Sequence, residues 1–246
     1  MIQKMSIALT LCLLCLMAAP WSAEAFTMSP PSPRGERTIF FPLHMSLKPA
    51  AIPMMDCGKA LARSGELLID VTKNLDLYGG GLSAAGAEVR NAGDSVAQAA
   101  ASARFKAGME IVIDELRESG TCLKAASEKL GRALEEAKQD EQEQLAEAID
   151  SMIKPMAACG VLLEEAGYTV LRREAPSVTG EKLSGAGALL SELSAVIPLL
   201  KQGDGDAELC SQRMAFAAEK LSEAGDQLCG VQKPKSGKSW LKGGGL

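Results

Sequence analysis

Cys57, Cys122, Cys159, Cys210 and Cys229 are the strongest nucleophiles in the body of this 246-residue chain. No two of them form a C-x-x-C pair, the spacing that clamps a soft metal or exchanges a disulfide. Four of the five fall on apolar stripes, where cysteine packs as a small hydrophobe. In an up-and-down bundle Cys57, Cys122 and Cys229 would sit near one end. A redox-sensitive disulfide is expected among them, first between Cys57 and Cys229, because that bond would tie the two ends of the bundle together. An odd number of thiols fits a reducing compartment better than a secreted disulfide framework.

The single histidine is His44, outside the body. A body without histidine lacks the commonest general base, the commonest zinc ligand and the usual partner of a Ser or Cys nucleophile. The carboxylates Glu135, Glu136, Asp140, Glu141, Glu143, Glu147 and Asp150 are dense enough to chelate a hard cation or meet a basic partner. They lack the glycine and alternating oxygen spacing of a calcium loop, so they read as a solvated face. Asp204-Gly205-Asp206 has no terminal glutamate at the calcium-loop distance. Gly79-Gly80-Gly81 follows a helix pattern, and Gly237-Lys238-Ser239 lacks the upstream glycine of a phosphate loop. The chain reads as non-enzymatic, with no cofactor and no metal.

Charge points to the class of partner. The net charge is −5. Residues 1–53 carry +2 and residues 230–246 carry +4, which leaves −11 on the body. An acidic body with few aromatics argues against nucleic acid. The tail joins Lys238 and Lys242 to Trp240 and Leu241, a composition that can meet an acidic protein or lie at a membrane interface.

Six amphipathic helices are expected. The clearest lies within Glu141 to Arg173, where apolar residues recur every three or four positions from Leu145 to Val170, in phase through Pro155. Phase kept through a proline predicts one kinked helix. A first helix is expected from an Asp56 cap to the glycines at 79–81. A second is expected from Ser83 to Ser119, and a third from a Gly120-Thr121 break to Ala137. Lys138–Gln144 holds no apolar residue and predicts a turn capped by Asp140. A fifth helix covers Leu183 to Leu200, after a loop at Ala175–Gly180, and a sixth runs from Cys210 to a stop at Gly230. A local pattern recurs: a large apolar residue, two others, two small residues, two others, a large apolar residue. It occurs as Leu61…Ser64-Gly65…Leu68, Val89…Ala92-Gly93…Val96, Leu163…Ala166-Gly167…Val170 and Leu221…Ala224-Gly225…Leu228, with looser copies around Gly131 and Ser194. Glycine inside a helix costs about 1 kcal/mol against alanine, so close helix–helix contact is the expected reason. Short connections favour antiparallel neighbours. The fold class is therefore all-α, an up-and-down antiparallel bundle of about six helices over residues 54–230, after a disordered leader and before a disordered basic tail at 231–246.

The leader has two parts. Residues 1–25 read as a signal peptide: Lys4, a short apolar run from Met5 to Ala19, Pro20, then Ala23-Glu24-Ala25 as a cleavage site. Residues 26–53 are hydroxylated, basic, proline-rich and poor in acids, as a transit peptide is. A signal peptide ending before Phe26, followed by such a stretch, resembles the bipartite plastid leader of algae with complex red-derived plastids. The resemblance rests on Ala23-Glu24-Ala25-Phe26-Thr27 and covers the leader alone. Thr27 and Met28 stand where that pattern usually has a small residue and then proline. It implies import into a plastid, the stroma being favoured; secretion is the alternative. The expected function is a scaffold or assembly role through contacts with a protein partner. Peripheral membrane contact by amphipathic helices, and homo-oligomerisation, are the alternatives.

Overall fold

A seven-residue spacing recurs in every helix, and at its centre a large apolar residue at the first position is followed by small residues at the fourth and fifth. Such spacing keeps one narrow seam facing a partner helix and leads to left-handed packing at shallow angles. The computed structural model describes residues 47–73, 75, 80–105, 108–201 and 203–231. The signal peptide, most of the transit stretch, His44 and the tail with Lys238, Trp240 and Lys242 lie outside the described residues.

The helices are α1 (Ala51–Lys73), α2 (Gly81–Phe105), α3 (Met109–Gln139), α4 (Glu143–Leu171), α5 (Pro176–Val196) and α6 (Gly205–Leu228). A 3-10 turn at Lys48–Ala50 precedes α1, and another at Ile197–Leu199 follows α5. Each helix packs on its two neighbours in sequence, and α6 closes on α1. The bundle is thus a ring of three antiparallel hairpins, α1/α2, α3/α4 and α5/α6. Its centre is filled. Leu61, Leu68, Leu116, Leu123, Met156 and Leu163 expose essentially nothing.

Every helix carries one central copy of the small-residue motif. Ser64-Gly65, Ala92-Gly93, Ser119-Gly120, Ala166-Gly167, Ala186-Gly187 and Ala224-Gly225 each lie midway between large apolar residues seven apart. Within the hairpins the glycines meet in reciprocal pairs. A Cβ added to Gly58 would lie 2.6 Å from the Gly93 carbonyl oxygen, and one added to Gly93 the same distance from that of Gly58. Gly65 pairs so with Gly86, Gly120 with Gly160 and Gly180 with Gly225, all at 2.5–2.9 Å. These eight glycines cost about 8 kcal/mol in helix propensity, comparable with the whole stability of a domain. Backbone-to-backbone approach is what offsets that cost. It brings the helices close enough for the large residues to fill the centre.

Two of the three seams between hairpins, α4/α5 and α6/α1, add small polar contacts, while α2 meets α3 with Gly81 against the Ala133 backbone. Thr169 and Thr179 hydroxyls lie 2.7 Å apart between α4 and α5. The Cys159 thiol faces the Ala186 carbonyl at 3.6 Å, and Cys210 donates to the Ser64 carbonyl at 3.2 Å between α6 and α1.

Several sequence-based boundaries move. The expected second helix does not run from Ser83 to Ser119. It ends at Phe105, and α3 begins at Met109 with Gly108 as its N-cap. Gly120 is therefore no break but a seam residue inside α3, set against Gly160. The stripe stayed in phase across the turn, so periodicity could not find it. The copy of the motif at Ser119-Gly120 was hidden by the same misreading. Residues 47–53, assigned above to the leader, join the bundle: α1 starts at Ala51 rather than after Asp56, and Leu47, Ala50, Pro53 and Met54 are buried. Pro53 fits because the first turn of a helix has no N–H bond to lose. Helix α5 likewise begins at Pro176, inside the expected loop. The α3–α4 turn falls where expected, so 109–171 is two helices; Asp140 is the C-cap of α3, and Gln142 precedes α4.

Helices α3, α4 and α6 end in one way. The amide two residues past the C-cap reaches back five residues, as in Gln142 to Ala137, Glu174 to Thr169 and Val231 to Asp226. This Schellman closure needs a left-handed residue. Gly230 supplies it after α6, at φ 74°. Glu141 and Arg173 supply it after α3 and α4, at φ 58° and 56°, where a side chain costs about 1–2 kcal/mol.

Candidate functional site

The antiparallel ring has two ends, and their chemistry differs. One end gathers the α3–α4 turn, the 3-10 turn Ile197–Leu199 and the start of α6. Its carboxylates include Glu136, Asp140, Glu141, Glu143, Asp206 and Glu208, and its described cations are Lys73, Lys138 and Lys201. Lys138 is held by Glu135 at 3.3 Å, and Lys201 by Asp204 at 3.7 Å. The fragment Asp204-Gly205-Asp206 serves as a helix cap: Asp204 accepts from the Asp206 amide at 2.8 Å.

A cleft of about 510 Å³ opens on this acidic end, with Leu75, Leu145, Leu199 and Leu200 as its apolar lining, beside Glu141, Glu143 and the Asp204-paired Lys201. A smaller one of about 210 Å³ continues along α4, lined by Gln144, Glu147, Ala148 and Ser151. Leu199 borders both, and it is 52 % exposed. The Ile197–Leu199 turn holds it there, because Pro198 ends α5 and turns the chain out. An exposed leucine between two clefts edged by carboxylates offers a hydrophobic anchor point inside a negative field. That chemistry takes an apolar side chain carried on a basic segment. Glu141 sits at the cleft in its left-handed conformation, so the turn keeps a carboxylate where glycine would cost less. Strain of this kind clusters at functional positions.

The acidic run was read as a solvated face from its charges alone. Only Leu145 of its apolar lining is local; Leu199 and Leu200 come from the turn after α5, some fifty residues on, and Leu75 from the segment after α1, so no local signal marks the cleft.

The thiols are placed as follows. All five are free. Cys57 and Cys159 are fully buried, and burial pushes the Cys57 thiol up to about 12 and that of Cys159 higher still. Burial does the same to Cys210, to about 12. Cys122 lies inside α3, not at a helix end, and burial with Glu118 and Glu88 nearby pushes it to about 11. No Cα of α1 comes within 8 Å of one in α3, beyond disulfide reach, so Cys57 and Cys122 are not brought together. Cys229 is exposed and turned toward the Ser177 carbonyl at 3.5 Å on the α5 side. Brief alkylation of the native protein at neutral pH should label Cys229 first and leave the other four protected until unfolding. Peptide mass mapping reads this, and equal labelling of Cys57 would mean the core opens readily.

Among the described residues no helix is long and apolar enough to cross a membrane. No family model matches the chain, and no curated protein or solved structure matches it.

Proposed function

We propose that the protein is a non-enzymatic contact module with a scaffold or assembly role, acting through the acidic cleft. Its partner is a protein segment that carries an apolar anchor and several basic side chains. The observation that carries this reading is Leu199, exposed between two clefts edged by Glu141, Glu143 and Glu147. The ring supports it mechanically. The Ile197–Leu199 turn packs directly on α4, which holds it beside the α3–α4 turn, and a preformed site loses less entropy on binding. Thiols held in their neutral form and a leucine-filled interior fit a structural role.

The bipartite leader, with Phe26 after Ala23-Glu24-Ala25, supports placement in a complex algal plastid, in the stroma, with secretion as the alternative. A full-length fluorescent fusion beside one lacking residues 26–46 tests placement: plastid signal lost on deletion supports it, and secretion of both overturns it.

The cleft is tested by comparing proteins captured on the wild-type chain with those captured on a Leu199→Ser, Glu141→Gln, Glu143→Gln variant. All three side chains lie at the surface, so the fold should survive. The expected result is a captured protein that the variant loses and that about 0.5 M salt releases from the wild type, since a Debye length of roughly 4 Å screens an exposed ion pair. Identical capture by both chains would sink the reading.

A further inference from the structure

The opposite end of the ring is apolar. Phe105 closes α2 with 75 % of its surface exposed; Ile52 is 60 % exposed, Val231 54 % and Leu171 53 %. Met109 and Ile111, exposed at the start of α3, complete the set. The antiparallel topology brings all six to one end, where α1 begins, α2 turns into α3, α4 turns into α5 and the chain leaves α6. Six of the ten large hydrophobic residues exposed among the described residues are here, against Leu199 and Leu209 at the acidic end. A gathered apolar surface on an otherwise charged protein marks a contact.

Its charges choose the occupant. The described cations at this end are Lys48, Arg104, Arg172 and Arg173, against Glu110, Glu174, Glu181 and Asp226. Arg172 pairs with Glu174 at 3.2 Å, so the cationic excess comes from the sequence that follows Val231. Arg104 lies over the Phe105 ring at 5.7 Å, and Arg172 over Tyr168 at 5.8 Å. Arg173 keeps its left-handed conformation at φ 56° in the turn beside Leu171, a place where glycine would cost less and carry no charge. Aromatic and aliphatic tips rimmed by arginines match the boundary between acyl chains and anionic headgroups, with the cations reaching the phosphates. From Val231 at this same end the sequence continues into Lys233, Lys235, Lys238 and Lys242 with no acid, and into Trp240 and Leu241. An acidic body is repelled by anionic lipid. In the folded ring the carboxylate-rich turns lie at the far end, a helix length of roughly 36 Å away, beyond several Debye lengths at physiological salt.

We propose that the ring docks end-on to an anionic membrane surface through Phe105, Leu171 and their neighbours, with Arg104, Arg172 and Arg173 on the headgroups and the acidic cleft facing away. The helices stay closed, because the apolar residues that make contact are outside the core. This surface is separate from the cleft, so either reading can fail without the other.

The test is co-sedimentation of the full chain with vesicles of phosphatidylcholine containing about 30 % phosphatidylglycerol, beside vesicles of phosphatidylcholine alone. The wild type should partition at least about tenfold better onto the anionic vesicles, and about 0.5 M salt should weaken it. Phe105→Ser with Leu171→Ser should lower partition at least about tenfold, while Val161→Ser, on an outer helix face, should leave it unchanged. Circular dichroism checks that each variant keeps its helices. Equal partition of wild type and double variant overturns the proposal, because the apolar leader is present in both. So does equal binding to both vesicle types, or none to either. A dimer seen by light scattering, broken by the double variant, with no vesicle binding would assign this end to a second copy of the chain instead.

Discussion

Gly93→Ala is expected to destabilise the protein by about 2–4 kcal/mol, although alanine is the better helix former by about 1 kcal/mol. The added Cβ would lie 2.2 Å from the Ala62 amide nitrogen, 2.6 Å from the Gly58 carbonyl oxygen and 2.7 Å from the Ala62 Cα. All three are backbone atoms, so no rotamer change relieves the overlap. Helix α1 must move outward and loosen the central packing of Leu61 and Leu68. Gly131 gives the opposite expectation. It is helical too, but nothing lies within 4 Å of its added Cβ, and Gly131→Ala should stabilise by about 0.5–1 kcal/mol. In thermal melts the two variants should fall on opposite sides of wild type, with Gly93→Ala lower by roughly 4–16 °C. A Gly93→Ala protein as stable as wild type would refute the glycine seam.

Leu163→Ala carries the second large effect. Leu163 is fully buried at a large position of α4, between the paired Gly160 and the close-packed Gly167. Truncating it removes apolar contacts from a centre whose helices are held by their seams and cannot collapse far. The expected cost is about 3–5 kcal/mol, near the upper end of the usual range for such truncations. Val161, two residues away on the outer face, is 42 % exposed, and Val161→Ala should stay within about 0.5 kcal/mol of wild type. Urea denaturation measures both. A Leu163→Ala cost below about 1 kcal/mol would mean a hydrated or adaptable centre, against the packing described.

The apolar stripe of α4 was legible through Pro155, because a proline in a helix removes one hydrogen bond without changing the face that packs. The turn at Lys138–Gln144 was legible from its lack of apolar residues. The α2–α3 boundary was not. Ala103, Ala107 and Ile111 continue the stripe across the reversal, while Gly120, the apparent break, lies inside α3. The candidate site divides in the same way. Its carboxylates were visible as a run, but three of the leucines that turn them into a cleft, Leu75, Leu199 and Leu200, come from the other two hairpins. The expected place of Cys122 beside Cys57 and Cys229 depended on that misplaced boundary, which put Cys122 at a helix end. The fifth copy of the motif, Ala186-Gly187 in α5, obeys the same spacing as the four recognised ones, and a stricter search at seven residues would have found it.

The amino-acid sequence by itself determined the helical class, the heptad stripes, the antiparallel order and the charges of body and tail. These are local properties: a side chain's period, a short connection and a formal charge do not depend on distant partners. Tertiary structure alone decided which glycines are seams and which are turns, and which exposed residues share an end. Gly93, Gly120 and Gly131 are the same residue in similar helical neighbourhoods. What separates them is the distance to a backbone that is far away along the chain. Phe105, Leu171 and Val231 are likewise unrelated in sequence, and only the alternation of six helices brings them to one face, opposite the carboxylates.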